Sequence, residues 1–122
     1  MANHSAQLSD VFQALSDPTR RAIVSTLGRG PETVSALAAP FPMALPSFLK
    51  HLAVLEASGV VRSRKQGRVR TCELVPRRLG EAEDWLCEQR SLWESRSDRM
   101  VDFVENLHRE EVTRAERAER QR

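Results

Sequence analysis

The sequence predicts a mainly α-helical domain that carries one two-stranded β-hairpin. Three observations predict it. Apolar residues recur at threes and fours in four segments before Gly59. From Val60 to Val75 that period gives way to two short strand-like segments, split by a turn-forming Gln66-Gly67. From about Leu79 the helical spacing resumes and runs unbroken to about His108.

Each element follows from local signals. Leu8, Val11, Phe12 and Leu15 space a first helix over Ser5 to Leu15. Ser16-Asp17-Pro18 then stops and restarts the chain, with Asp17 as a cap and Pro18 suited to a first turn. The second helix runs from Pro18 to Leu27, with Ala22, Ile23 and Leu27 inward, and Gly28-Arg29-Gly30-Pro31 ends it. Thr33 caps a short third helix, Val34 to about Ala39, with Leu37 inward. Pro40 and Pro42 bracket a tight connection to a fourth helix near 44–58. Its Phe48, Leu52 and Leu55 share one face, and Gly59 is a left-handed stop. The hairpin spans Val60 to Lys65 and Arg68 to Val75, and Pro76 ends its second strand. In the last helix Ala82, Leu86, Trp93, Met100, Phe103 and Leu107 form a stripe about 28 residues long, or ~40 Å. So long a stripe exceeds what one small core covers. Glu110 to Arg122 is charged and reads as a frayed end or a disordered tail. The expected layout is a single domain at 1–108 and a tail at 109–122.

Composition narrows the function classes. With 40% hydrophobic and 30% charged residues, this is the balance of a soluble globular chain. No apolar run approaches the roughly 20 residues of a membrane span, so no membrane partner is expected. The N-terminus does not read as a secretory signal, which makes the cytoplasm the expected compartment. Cys72 and Cys87 are read as reduced and partly packed. The 19 basic and 17 acidic residues leave a net charge of only +2, which alone announces no partner. Its distribution says more. Arg62 to Arg70 holds five positive charges and no negative one, while the acids gather in Glu81–Glu88 and beyond.

Three helices, a fourth after a tight turn, and a basic hairpin make a helix-turn-helix followed by a wing. That order fits double-stranded DNA. A helix enters the major groove, and a wing lies along the backbone or the adjacent minor groove. The candidate DNA-contacting residues are Ala44, Leu45, Ser47, Lys50 and His51 on the fourth helix, and Arg62, Arg64, Lys65, Arg68 and Arg70 on the wing. Arg21 is a weaker candidate, since an internal ion pair serves it equally well. His51 has an alternative place as a structural histidine against the helix-turn-helix core.

Four segments resemble one family. Asp17-Pro18-Thr19-Arg20-Arg21-Ala22-Ile23-Val24 looks like the opening motif of the ArsR family of bacterial repressors. Lys50 through Val61 resembles the end of its recognition helix, and Arg68 through Pro76 its second wing strand. Trp85-Leu86 and Trp93 are similar to its metal-independent, autorepressor-like branch. The resemblance covers about residues 8 to 107. It implies a winged helix-turn-helix repressor that is a homodimer through its terminal helices and reads a palindromic operator. A two-fold partner would cover the overlong last helix. The expected interface residues are Leu8, Phe12, Trp85, Leu86, Trp93 and Met100. The family usually has serines where this chain has Ala44 and Leu49, so a weaker helix cap and fewer direct base hydrogen bonds are expected.

Other chemistries find little support. The Cys-x-Cys pair of metal-sensing members is missing, and no metal or cofactor is expected. Three His and two Cys form no nucleophile–base set, so no enzyme is expected. Two alternatives stay open: a winged-helix protein-interaction module, and a regulator that takes an organic small-molecule effector at the dimer interface.

Overall fold

The computed structural model describes residues 2–121. The elements run α1 (Ala2–Ala14), α2 (Pro18–Leu27), β1 (Glu32–Thr33), α3 (Val34–Ala38), α4 (Leu45–Ala57), β2 (Val61–Gln66), β3 (Val69–Leu74) and α5 (Pro76–Arg120). They divide into two compact units, one ending at Asp84 and one beginning at Trp85.

The unit up to Asp84 is a helical cluster with a small sheet along one side. Its core joins Val11 and Ala14 of α1, Ile23 and Leu27 of α2, Leu37 of α3, and Phe48, Leu52 and Leu55 of α4 to Val60, Val61 and Cys72. Burying each large side chain of this set contributes about 1.5–3 kcal/mol. Phe41, in the turn between α3 and α4, packs its ring 5.5 Å from that of Phe48. The turn of the helix-turn-helix is therefore anchored by an aromatic contact.

The caps explain the helix boundaries. The Asp17 carboxylate accepts from the Arg20 backbone N–H at 3.1 Å, and Pro18 opens α2. The Thr33 hydroxyl accepts from the Ala36 N–H at 3.2 Å. At α4 the cap position is Ala44, which offers no side-chain acceptor. Pro46 lies in that first turn and carries no N–H, which removes one of the donors a cap would otherwise serve.

Several details depart from the sequence reading. Ala22 is exposed, and Val24 takes the inward place beside Ile23. The sheet has three strands in the order β1-β3-β2, because Glu32 and Thr33 pair with Cys72 and Thr71. The hairpin turn is Gly67-Arg68, since Gln66 still pairs with Val69. Gly67 has φ 62°, the sign a type II′ turn needs at its first central residue. Pro76 is the first residue of α5.

Helix α5 is 45 residues long and continues to Arg120. The stretch expected as a frayed or disordered tail is thus helical through Arg120, and Arg122 lies outside the described residues, as does Met1. Glu110 precedes Arg114 by four and Glu116 precedes Arg120 by four, an order that supports a helix. Arg117 and Arg120 also complement the negative end of the helix dipole. From Trp85 onward the large apolar residues of this unit are exposed, among them Leu86, Trp93, Met100, Phe103 and Leu107. No helix among the described residues is long and apolar enough to cross a membrane.

Gly59 and Gly67 both have positive φ, but their surroundings differ. A Cβ at Gly59 (φ 81°) would lie 2.8 Å from the Arg78 Nε. That arginine crosses over the glycine to donate to the Gln7 side-chain oxygen at 2.9 Å. At Gly67 a Cβ meets nothing within 4 Å. Gly67→Ala should therefore cost only the positive-φ backbone strain, about 1–3 kcal/mol. Gly59→Ala should cost visibly more, because Arg78 must also move. Urea midpoints of the two variants check the order, and equal losses would contradict it.

Candidate nucleic-acid interface

The corner between α1 and α2 sets the stance of α4. The Arg20 guanidinium donates through Nε to the Ala14 carbonyl at 2.6 Å and through a terminal nitrogen to the Gln13 carbonyl at 3.0 Å. Its other terminal nitrogen lies 3.2 Å from the His51 Nδ1 on α4. Arg21 donates to the Leu15 carbonyl at 2.8 Å. Both arginines thus close the last carbonyls of α1, where a cation also complements the helix dipole. Arg21 thus has a partner at the corner in this structure, in line with the internal role set beside its weaker place among the DNA contacts. At the His51 Nδ1 the donor and acceptor roles follow the tautomer of the ring. The Asp17 carboxylate stands 3.7 Å from the same Nδ1. These contacts suit the structural place given as an alternative for His51, whose side chain is 26% exposed.

With one face of α4 buried, its first turns point outward. Ala44, Leu45, Ser47 and Lys50 are all exposed, Leu45 at 53%. Leu49 is half-buried against the core. The outward surface of the helix is thus small, with one hydroxyl, one ammonium and two apolar groups.

The wing sorts its cations by strand face. Alternation places Arg62 and Arg64 on the outer face beside Glu73, and Ser63 and Lys65 on the inner face beside Cys72 and Arg70. Arg62 donates to Glu73 at 2.6 Å and Arg64 to the same oxygen at 3.2 Å. These side chains are 61% and 70% exposed, so the pairs are weak and exchangeable. The Arg62 hydrogen bond, with Arg64 behind it, holds the Glu73 carboxyl below the usual carboxylate range. Arg70 points toward α4, donating to both Glu56 oxygens at 2.5 and 2.7 Å and through Nε to the Ser63 hydroxyl at 2.9 Å. Among the described residues, Lys65 and Arg68 are the wing cations with no hydrogen bond or ion pair. The run of five positive charges therefore presents two free ones at its tip. Arg70, expected as a DNA contact, is engaged with Glu56 and Ser63 in this structure.

The helix-turn-helix domain family matches residues 15–64. The HTH-type transcriptional regulator Rv2034 of Mycobacterium tuberculosis is 43% identical over 65 residues, which span 53% of this chain and 61% of that protein. The transcriptional repressor SdpR of Bacillus subtilis is 32% identical over 79 residues, 65% of this chain and 88% of that one. A crystal structure of an ArsR family transcriptional regulator superposes with a TM-score of 0.71 at 58% identity, covering 75% of this chain and 94% of its own. This chain belongs to the ArsR family. It is a winged helix-turn-helix transcriptional regulator, and its relatives and fold are those of DNA-binding regulators rather than enzymes.

Within this ArsR protein, Ala44, Leu45, Ser47 and Lys50 come together on one helix end, and Lys65 and Arg68 on the wing tip. The expected interface residues fall in two environments. Leu8 and Phe12 pack partly against the core of the first unit. Trp85, Leu86, Trp93 and Met100 are exposed in α5. Cys72 is buried, and that burial, with Glu56 nearby, pushes its thiol up. Cys87 is exposed instead of partly packed. Among the described residues no group of three or more His, Cys, Asp or Glu is placed to hold a metal ion. Sequence reasoning missed Glu56 and Glu73. The signal for Glu73 lay in the strand register, which sets it across from Arg62, and Glu56 on α4 had none in the local sequence.

The Asp17 cap has a pH signature. The Arg20 backbone N–H, and to a lesser degree His51, hold its carboxyl below its ordinary value of 3.8. A depressed folded pKa adds stability above the unfolded value, and that stability is lost as pH falls through the folded one. The stability difference between wild type and Asp17→Asn should hold steady above about pH 4 and narrow below it. Urea titrations at stepped pH measure it. A difference that persists undiminished at pH 2 would contradict the charged cap.

Proposed function

We propose that this protein is a homodimeric repressor that reads an inverted-repeat operator with α4 and holds it with the wing tip. The carrying observation is the exposed first turn of α4, with Ser47 and Lys50 outward and Phe48 locked beneath. A helix about 10–12 Å across fits a major groove about 12 Å wide. Leu45 and Ala44 suit contact with thymine methyl groups, while Ser47 and Lys50 supply the few hydrogen bonds. With so few donors, much of the specificity comes from phosphate contacts and DNA shape. Lys65 and Arg68 serve the backbone, and Arg62 and Arg64 join them by exchanging Glu73 for phosphate.

The dimer reading rests on α5. Leu86, Trp93, Met100 and Leu107 recur every seven residues and are exposed, a stripe that suits a second copy of the same helix. In the first unit, Leu8 and Phe12 of α1 are the residues offered for a contact between the copies. Two copies would set their recognition helices about 34 Å apart, one turn of DNA. SdpR, the B. subtilis relative, is a repressor, and the same outcome here follows from covering a promoter.

The test is binding of the full chain to its own upstream region at about 150 mM salt. The expected result is a clear preference over random duplex, with the protein sedimenting at twice its 13.8 kDa. Equal affinity for both duplexes would remove sequence-specific repression. The double variant Lys65→Gln/Arg68→Gln should reduce the log–log salt slope by about 0.9 for each phosphate that is no longer neutralised. An unchanged slope would take the wing out of the interface.

A further inference from the structure

The outer half of the wing has almost nothing apolar to hold it. Val61 and Cys72 at its base are buried, and Leu74 is half-buried, but Lys65, Gln66, Arg68 and Val69 are exposed. A two-stranded hairpin by itself is marginally stable in water. Arg70 lies opposite Lys65, one pair short of the turn. Its guanidinium spans three elements, starting from β3, taking the Ser63 hydroxyl of β2 and ending on the Glu56 carboxylate in the last turn of α4. Among the described residues, no hydrogen bond or ion pair nearer the tip joins the wing to α4. The side chains of Arg70 and Glu56 are 41% and 25% exposed, so water competes for this pair less than for the outer Arg62 and Arg64 pairs.

We propose that Glu56, Arg70 and Ser63 form a clamp that fixes the angle of the wing to the recognition helix, so that both reach DNA as one rigid unit. The proposal rests on the DNA-binding reading above and deepens it. Glu56 and Arg70 are positioning residues in it, and Lys65 and Arg68 are the contacts they aim. A preset angle matters because ordering a loose hairpin at the moment of binding costs free energy that a fixed one has already lost on folding.

Charge arguments alone predict the opposite of the clamp, which makes it testable. Glu56→Gln removes a negative charge near the DNA surface and frees Arg70. If Arg70 were itself a phosphate contact, that variant would bind more tightly with a steeper salt slope. The clamp predicts weaker binding to the upstream duplex, by about tenfold, and a slope reduced by about one to two. It also predicts that adding Lys65→Gln/Arg68→Gln to Glu56→Gln lowers the slope little further, since the aim of those side chains is already gone. Ser63→Ala changes no charge and should weaken binding in the same direction. It replaces Glu56→Gln should that variant unfold by circular dichroism. Binding by Glu56→Gln that is unchanged or tighter, or by Ser63→Ala that is unchanged when Glu56→Gln does not fold, overturns the clamp. Wild-type protein with no preference for its upstream region and no wing-dependent slope removes the reading beneath it, and the clamp with it.

Discussion

Phe48, Leu52 and Leu55 sit on one side of α4, and all three are almost wholly removed from water. That burial decides what the helix can show. Rotating α4 to expose a different side would bring these groups into solvent at about 1.5–3 kcal/mol each. The outward residues are therefore determined by the core, and the surface offered to a groove is whatever Ala44, Leu45, Ser47 and Lys50 present. The same constraint explains the corner. Arg20 fastens the end of α1 to His51 on the half-buried edge of α4, which ties that edge to the corner.

The second determinant is electrostatic, and it acts by subtraction. Every arginine in the two basic segments is available in principle. Arg20 and Arg21 are taken by carbonyls of α1, Arg62 and Arg64 share Glu73, and Arg70 is held by Glu56. These engagements differ in kind. The outer pairs are exposed and exchange readily with phosphate, while the Glu56 pair is half-buried and couples two elements. Net charge would miss this distinction, because the same guanidinium serves recognition or architecture according to what stands opposite it.

Much of the fold was legible in local chemistry. The limits of α2 were readable because Asp17 and Pro18 open it and Gly28 follows its last inward leucine. The left-handed stop at Gly59 was readable because only glycine takes φ 81° there without strain. Strand β1 was not, because two residues carry no period and exist as a strand only through pairing with distant β3. Helix α5 was read too short at its C-terminal end, where Glu–Arg pairs sustain a helix that has no apolar face to announce it. At the proposed site the basic residues were legible and their partners were not. A run of like charges reads as free along one strand, and only the register shows Glu73 opposite Arg62. Glu56 needed more still, since nothing local says which helix turn a hairpin will lean on.

On the proposed reading, DNA lies against two short segments of the first unit. Amide hydrogen exchange of the full chain, with and without its upstream duplex, tests that most directly. Slowed exchange confined mainly to residues 45–51 and 64–69, with the helix beyond Trp85 unaffected by DNA, is the predicted pattern. Protection concentrated in α5 with α4 and the wing unchanged would contradict it.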